Sequence, residues 1–224
     1  MSVQCNANTQ RLRRIVGWDA SDPNVSIALW YRFNSFGAFR SVWSGDDNAV
    51  FVPGIYFDPG PSTVYYLHAN GAAPGTELIA TAAINTWYFT AIERPAAAAA
   101  APGVCYVGVA GGALSTAVPG DNADGWYGDE LILFNEDAND QTQDGQQVFC
   151  KVWTTLLSAE EVANEYLRGV SSRTADGFQI VPLLNATNAG VDVSGNGNDF
   201  TVSGTPTTQR TMPPVTWRGA LDIQ

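Results

Sequence analysis

Apolar residues alternate with small or polar residues along several short segments of the chain. Residues 25–33 (VSIALWYRF) show this alternation most clearly, and residues 85–92 and 104–109 repeat it. A period of two residues is typical of a β-strand with one buried face. Turn-forming pairs such as Pro53-Gly54 and Pro119-Gly120 recur between such segments. The pattern therefore predicts an all-β fold, an antiparallel two-sheet β-sandwich, rather than alternating strands and helices.

One short helix is predicted near residues 158–168. Ser158 is a suitable N-cap, and Glu160 and Glu161 place negative charge in the first turn, where the helix dipole favours it. Val162 and Tyr166 lie one helical turn apart and form one apolar stripe. We therefore expect a helix that begins after Ser158 and buries one side.

The order of elements in residues 131–169 resembles the closing part of a laminin-G-like jelly roll, the concanavalin A-like fold of lectins and glucanases. An apolar strand, an acidic loop, a second strand and the sequence LSAEEV at 157–162 follow one another as they do in that family. The segment is also similar to the corresponding part of pentraxins. The resemblance implies that the sandwich is a concanavalin A-like jelly roll.

The rest of the chain resembles the same family in an altered order. Residues 15–169 look like the later portion of a laminin-G-like domain, whereas residues 178–223 look like its beginning. The second match rests on DVSGNGNDF at 192–200 and WRGALDI at 217–223, which stand before the other strands in the family. We interpret the chain as circularly permuted, because the termini of a sandwich often lie close together.

This interpretation divides the chain into an N-terminal arm, residues 1–14, and a single laminin-G-like jelly-roll domain, residues 15–224. Residues 178–223 then supply the strands that are N-terminal in the family. The alternative is a tandem array whose second copy is truncated, but its orphan strands would expose apolar edges.

The chain carries 22 acidic and 11 basic residues, a formal net charge of -11. This charge repels phosphate backbones and anionic lipid surfaces, so we exclude nucleic acid as a partner. No window approaches the ~20 apolar residues of a membrane-spanning helix, and no membrane insertion is expected. The acidic excess either serves solubility or includes clustered carboxylates that hold a cation.

The N-terminal sequence and the cysteines indicate where the protein is made. Residues 1–14 have charge but no apolar region of a signal peptide after them, so we expect synthesis in the cytoplasm without a signal peptide. Cys5, Cys105 and Cys150 are odd in number and show no paired spacing. They predict neither a disulfide framework nor a zinc site.

The acidic loop after Phe134 is the first candidate site. Several carboxylate and amide side chains follow one another in this loop. Such hard oxygen ligands suit Ca²⁺. The pentraxin resemblance implies that the residues directly after the strand match positions where that family holds calcium. The spacing further along the loop departs from that pattern, and a solvated acidic turn is the alternative. The candidate ligands are Asn135, Glu136, Asp137 and Asp144.

A second candidate site lies around an aromatic pair between glycines. Trp126 and Tyr127 could offer a flat face to a sugar ring, with Asp124 accepting hydrogen bonds from hydroxyl groups. Trp43 could contribute to the same rim. The alternative is that these aromatic residues anchor loops onto the core of the sandwich.

The sequence does not contain a catalytic constellation. Jelly-roll glucanases resembling this fold place two carboxylates on one strand as E-x-D-x-x-E, and Glu130 and Glu136 do not form that pattern. His68, the single histidine, has no serine or cysteine arrangement nearby that would make it a base. We therefore predict that the protein is not an enzyme.

These observations favour a non-enzymatic structural or adhesion module on an assembled particle, such as a phage virion decoration or fibre protein. Expected partners are other virion or shell subunits in a homo-oligomer, together with a cell-surface glycan. Residues 1–14 and 205–224 would then carry the assembly contacts on the virion surface. The alternatives are a soluble carbohydrate-binding lectin module and, third, a glycoside hydrolase.

Overall fold

The computed structural model describes residues 1–7, 9–15, 24–36, 40–45, 54–59, 62–68, 75–95, 103–117, 130–134, 143–168 and 177–214. Their elements are strands β1 (Ser2–Cys5), β2 (Arg11–Ile15), β3 (Val25–Phe33), β4 (Arg40–Ser44), β5 (Gly54–Asp58), β6 (Thr63–His68), β7 (Gly75–Thr81), β8 (Trp87–Arg94), β9 (Val104–Val109), β10 (Leu114–Ala117), β11 (Glu130–Leu133), β12 (Gly145–Trp153), β13 (Gly177–Val181), β14 (Thr201–Ser203) and β15 (Thr207–Gln209), and helix α1 (Ala159–Arg168).

The strands form two antiparallel sheets, which confirms the predicted sandwich. The first sheet has the order β10-β9-β8-β3-β12-β1-β15, and β13 also pairs with β12. The second sheet has the order β14-β2-β11-β4-β5-β6-β7. Sequence neighbours such as β8, β9 and β10 pair as hairpins, whereas β3 pairs with the distant strand β12.

The core lies between the facing sides of the two sheets. Alternate residues of β3 point into it, including Leu29, Tyr31 and Phe33, as the two-residue period predicts. Strand β11 supplies Leu131 and Leu133 from the other side. The polar group that Tyr31 carries into the core is satisfied, because the Thr90 hydroxyl donates to Tyr31 Oη at 3.0 Å.

The predicted N-terminal arm is corrected by the strand pairing. Strand β1 pairs with β12 and β15 in the first sheet, and β2 pairs with β11 and β14 in the second. Val3, Cys5 and Leu12 are fully buried in the core. Apolar burial of these side chains holds both strands inside the sandwich, so residues 2–5 and 11–15 are not available as a detachable tail.

The C-terminal segment contributes strands to both sheets. Strand β13 pairs with β12, β14 with β2 and β15 with β1. Strands β14 and β15 therefore connect the two sheets along one side of the sandwich. These pairings are those expected if residues 178–223 belong to the same sandwich as β3. The family order that would define a permutation stays a prediction, and residues 217–223 lie outside the described residues.

The turn that resembles the family motif is organised around one carboxylate. Asp192 accepts hydrogen bonds from the backbone N–H groups of Ile180, Ser194 and Asn198 at 2.8 to 2.9 Å, and from the Ser194 hydroxyl at 2.8 Å. Gly195 and Gly197 have φ values of 89° and 70°, which favour glycine. The aspartate thus fixes the turn to the end of β13.

Helix α1 confirms the predicted element at 158–168. Ser158 and Glu161 form a reciprocal capping box, in which Glu161 N donates to Ser158 Oγ at 3.3 Å and Ser158 N donates to Glu161 Oε2 at 2.7 Å. Val162 and Tyr166 are buried against the outer face of the first sheet, where Tyr166 stacks on Trp30. Within the described ranges, no helix has the length and apolar character required to cross a membrane.

Candidate functional site

A network of polar side chains lies at the end of the sandwich where β3 ends and β12 begins. Ser35 Oγ donates to Asp144 Oδ2 at 2.5 Å, and Asn34 Nδ2 lies 3.4 Å from Asp144 Oδ1. The backbone N–H of Asn34 also donates to the Asp144 carbonyl at 2.8 Å. Gln146 Nε2 donates to Asn34 Oδ1 at 3.3 Å. We call Asn34, Ser35, Gln143, Asp144 and Gln146 the Asp144 network.

A glycine allows the two strands to approach each other here. Gly145 is paired with Phe33 across the first sheet. A Cβ atom at Gly145 would lie 2.2 Å from the carbonyl oxygen of Arg32 and 2.6 Å from Gln143 Nε2. Because the first contact is with backbone, no side-chain movement could relieve it. The approach therefore depends on the absence of a side chain at residue 145.

The two described residues that flank the acidic loop are joined by a hydrogen bond. Gln143 N donates to the Phe134 carbonyl at 2.6 Å, and Phe134 N donates to the Val42 carbonyl at 3.0 Å. Phe134 is fully buried and has a φ of 70°, which is unusual for a residue with a side chain. The acidic loop therefore begins and ends at one place, next to Asp144.

Two buried glutamines hold this end of the sandwich together from inside. Gln143 Nε2 donates to the Arg32 carbonyl at 3.0 Å. Gln147 Nε2 lies 2.7 Å from Gln143 Oε1 and 2.6 Å from the Val42 carbonyl. These bonds link β3, β4 and the start of β12. They hold in place the two segments that carry Asn34, Ser35 and Asp144.

Gln146 connects the network to both ends of the described chain. Its Oε1 accepts a hydrogen bond from Ser2 Oγ at 3.0 Å and another from Thr211 Oγ1. Ser2 belongs to β1, and Thr211 follows β15. The position of Asp144 is thus coupled to the docking of the first and last described segments.

An aromatic side chain follows the network directly in sequence. Phe36 is half-buried and stacks on Phe57, with 4.2 Å between the ring centroids. Its ring also meets the Phe33 ring edge to face, with 5.7 Å between the centroids. Phe36 follows Asn34 and Ser35 in sequence, so this end of β3 carries both the apolar and the polar side chains that sugar-binding sites use.

The predicted calcium ligands are only partly within the described residues. Asp144 belongs to the network, whereas Asn135, Glu136 and Asp137 lie outside the described residues. Among the side chains that the structure describes, no group of three or more histidine, cysteine, aspartate or glutamate residues could hold a metal ion. Asp144, Asn34 and Ser35 supply the hard oxygen atoms that Ca²⁺ prefers, so the donor chemistry fits, but further carboxylates would have to come from the loop.

The predicted sugar-binding residues divide in the same way. Asp124, Trp126 and Tyr127 lie outside the described residues. Trp43 is described, and the structure corrects its predicted role. Its ring is fully buried in the core, and its neighbours across the second sheet are Leu133 and Ile55. No face of Trp43 is therefore available to a sugar.

Three other described carboxylates are buried, and Glu165 is one of them, on helix α1. Glu130 is ion-paired with Arg13 on the second sheet, so its charge is already compensated. Glu93, on β8, is only 8% exposed. Burial raises its pKa, and a hydrogen bond from Tyr106 opposes the rise, so that the net pKa is about 7. Glu93 is paired with Ser26, seven residues from the Phe33 end of β3, which is ~23 Å along the strand.

Sequence reasoning missed most of the Asp144 network. Asn34, Ser35, Gln143 and Gln146 carry no charge and match no motif with a known spacing. A usable signal was present in the polar residues directly after the apolar run of β3 and in the sequence QDGQQ, where β12 begins. What no local pattern shows is that these two segments are adjacent in space.

Comparisons with known proteins agree with the fold. No protein-family model matches the sequence, and no curated protein matches it. A heptameric SAP-like pentraxin from Limulus polyphemus is similar in structure, with a TM-score of 0.55 and 12% identity over 91% of this chain and 94% of that chain.

Two further structures extend the comparison. A putative carbohydrate binding protein from Bacteroides ovatus has a TM-score of 0.62 and 14% identity, over 94% of this chain and 61% of that chain. Domains LG4-5 of the mouse laminin alpha1 chain have a TM-score of 0.50 and 10% identity, over 71% of this chain and 43% of that chain. The chain therefore has the laminin-G-like, concanavalin A-like jelly-roll fold.

Proposed function

We propose that this protein is a non-enzymatic, lectin-like module that binds a glycan at the end of the sandwich formed by the Asp144 network. The observation that carries the proposal is the hydrogen bond between Gln143 and Phe134. It brings the two ends of the acidic loop together beside Asp144, Ser35 and the half-buried ring of Phe36. The hydroxyl and amide side chains bonded to Asp144 lie next in sequence to a half-buried aromatic side chain.

The similarity to the Bacteroides ovatus protein supports a carbohydrate ligand, because that protein is described as carbohydrate binding. In this chain, Ser35 and Asn34 would exchange hydrogen bonds with sugar hydroxyl groups, and Phe36 would contact an apolar face of the ring. We include Trp126, Tyr127 and Asp124 in the same proposal as a second contact surface.

Calcium is part of this proposal. Asn135, Glu136, Asp137 and Asp144 would hold the ion together with oxygen atoms of Asn34 or Ser35. When bound, the ion would neutralise the loop carboxylates and offer coordination positions to sugar hydroxyl groups.

A glycan array tests the proposal with matched variants. We expect the unmodified protein to bind a defined set of glycans and Asp144→Asn to lose that binding. Glu160→Gln, an exposed carboxylate on helix α1, removes the same charge elsewhere and should bind normally. Trp126→Ala tests the second surface. The same glycans bound with equal strength by Asp144→Asn and the unmodified protein would refute a site at the Asp144 network.

We further propose that the module is made in the cytoplasm and displayed on an assembled particle, such as a phage virion. Cys5, Cys105 and Cys150 are buried thiols without disulfide bonds, which supports synthesis in a reducing compartment. Burial raises the pKa of the Cys5 and Cys150 thiols to about 12, so neither is reactive near neutral pH.

Density-gradient separation of particles from producing cells, with an antibody against this chain, distinguishes display from a soluble lectin. Co-sedimentation that survives high salt supports display. Protein found only in the soluble fraction, together with a positive glycan array, leaves the soluble lectin as the function. Deletion of residues 1–14 would not test attachment, because it removes β1 and four of the five residues of β2 from the two sheets.

A further inference from the structure

Strand β10 forms an open edge of the first sheet. It pairs with β9, and no described strand lies on its other side. Ser115 and Thr116 in the middle of β10 are exposed, so the edge is accessible. Val109, at the end of β9, is 41% exposed and lies on the same hairpin. In the part of the chain that the structure describes, the first sheet thus ends at the backbone of β10, next to exposed Val109.

This edge is uncharged in a strongly acidic protein. Between Arg94 and Asp121 the chain contains no charged residue, and no other interval of the sequence is as long. The rest of the chain gives the protein its net charge of -11. A basic partner would favour the acidic surface, whereas the β9–β10 hairpin offers nothing to recognise by charge.

Apart from its short length, β10 has none of the usual protections of an edge strand. Proteins block such edges with charged side chains, prolines or bulges. Strand β10 (LSTA) contains none of these, and its four residues pair with β9 in continuous register. The edge strand β14 (TVS) is also short and uncharged, but it pairs with β2, which carries Arg11, Arg13 and Arg14. The register of β7 with β6 shifts, and Pro206 and Arg210 flank β15.

We propose that β10 pairs with β10 of a second copy of this chain, so that the first sheets of two copies form one continuous antiparallel sheet. A two-fold axis through the edge places the same residues on both sides. The uncharged hairpin is where two copies with a net charge of -11 can approach with least repulsion. Val109 and half-buried Leu114 add apolar contact. Because only four residues pair on each side, the dimer is reversible.

Sedimentation equilibrium over a range of protein concentrations tests this dimer. We expect a monomer–dimer equilibrium that shifts toward dimer as NaCl is raised, because salt screens repulsion between the acidic copies. Thr116→Lys places a charge in the edge and should weaken dimerisation at least tenfold. Thr201→Lys, at an exposed position of the short edge strand β14, is the matched control and should dimerise normally.

The direction of the charge change makes this test specific. Each lysine makes the net charge one unit less negative, so it reduces general repulsion between copies. Weaker association of Thr116→Lys alone would therefore place the contact at β10. Mixing Thr116→Lys with Thr116→Glu should restore association. The proposal is overturned if the protein is monomeric at all concentrations, or if Thr116→Lys dimerises as well as Thr201→Lys. Unchanged thermal unfolding confirms that each variant is folded.

Discussion

Lys151 of β12 is ion-paired with Glu165 of helix α1, and the two residues are only 3% and 2% exposed. The pair lies between the helix and the outer face of the first sheet, beside the aromatic contacts of Tyr166. Burial lowers the pKa of Lys151, and the charge and hydrogen bond of Glu165 oppose that shift. If either residue were removed, the other charge would be buried without a counter-charge. The ion pair therefore helps to hold the helix on the sheet.

Removing one partner of this pair should strongly destabilise the protein. Glu165→Gln leaves the ammonium group of Lys151 buried without a counter-charge, and we expect a loss of about 3–5 kcal/mol in the free energy of unfolding. Glu160→Gln, on the exposed side of the same helix, should change it by less than about 0.5 kcal/mol. Denaturant unfolding measures both. Equal stability of the two variants would show that the pair does not hold the helix.

Glu93 should make stability depend on pH. Its pKa is raised from an ordinary value of 4.5 to about 7, mainly by burial, while Tyr106 donates a hydrogen bond and Glu161 repels the charged form. The folded state therefore binds the proton more tightly than the unfolded state. The resulting stabilisation is fully present below pH 4.5 and is lost as the pH rises through 7.

Glu93→Gln removes this dependence and provides the test. The difference in unfolding free energy between the variant and the unmodified protein should change between pH 4.5 and 7.5, with the variant gaining relative stability as the pH rises. Glu160→Gln serves as the control. A difference that stays constant over this range would mean that Glu93 titrates normally.

Gly145→Ala should disturb the candidate site through the backbone. The added methyl group would lie 2.2 Å from the Arg32 carbonyl, so β3 and β12 would have to separate beside Asp144. We expect a loss of about 1–3 kcal/mol. Gly112→Ala meets its nearest atom at 3.2 Å and should cost less. Thermal unfolding compares the two, and a smaller loss for Gly145→Ala would contradict the close approach.

The sequence predicted the strands whose alternation is strong and local. Residues 25–33 form β3, and the LSAEEV segment starts helix α1 behind a capping box. It missed β2, because Leu12 stands among three arginines in RLRRI, and Arg13 pairs with Glu130, far along the chain. No local pattern of residues indicates a pairing between segments so far apart in the sequence.

The candidate site was less predictable for the same reason. Asp144 was expected as a ligand, but its partners Asn34 and Ser35 come from a strand end more than a hundred residues away. Trp43 was misassigned because the register of β4 shifts between Ser41 and Trp43, and both Val42 and Trp43 face the core. Simple alternation would have placed one of them outside.

Asp192 should contribute to acid sensitivity at the turn. Burial alone would raise its pKa, but hydrogen bonds from the backbone of Ile180, Ser194 and Asn198, and from the Ser194 hydroxyl, lower it. Its stabilisation is therefore present above the ordinary pKa of 3.8 and is lost as the pH falls. We expect Asp192→Ala to cost about 1–3 kcal/mol at pH 7 and less at pH 3. Asn196→Ala, exposed in the same turn, is the control, and denaturant unfolding at both pH values measures the difference.

The calcium site is tested by ligand-linked stability. Calcium that binds only the folded protein should raise the melting temperature increasingly with its concentration, by an amount set by the ratio of free calcium to the dissociation constant. Asp137→Ala and Asp144→Asn should each abolish the rise, because each removes a carboxylate from the proposed site. Glu160→Gln keeps the same net charge as Asp144→Asn and should retain the full rise, which separates specific binding from general screening of the acidic surface. Magnesium at equal concentration controls for screening by a divalent ion. An identical melting temperature in millimolar calcium and in chelator would leave the acidic loop as a solvated turn, and glycan binding by the Asp144 network would then have to proceed without a metal ion.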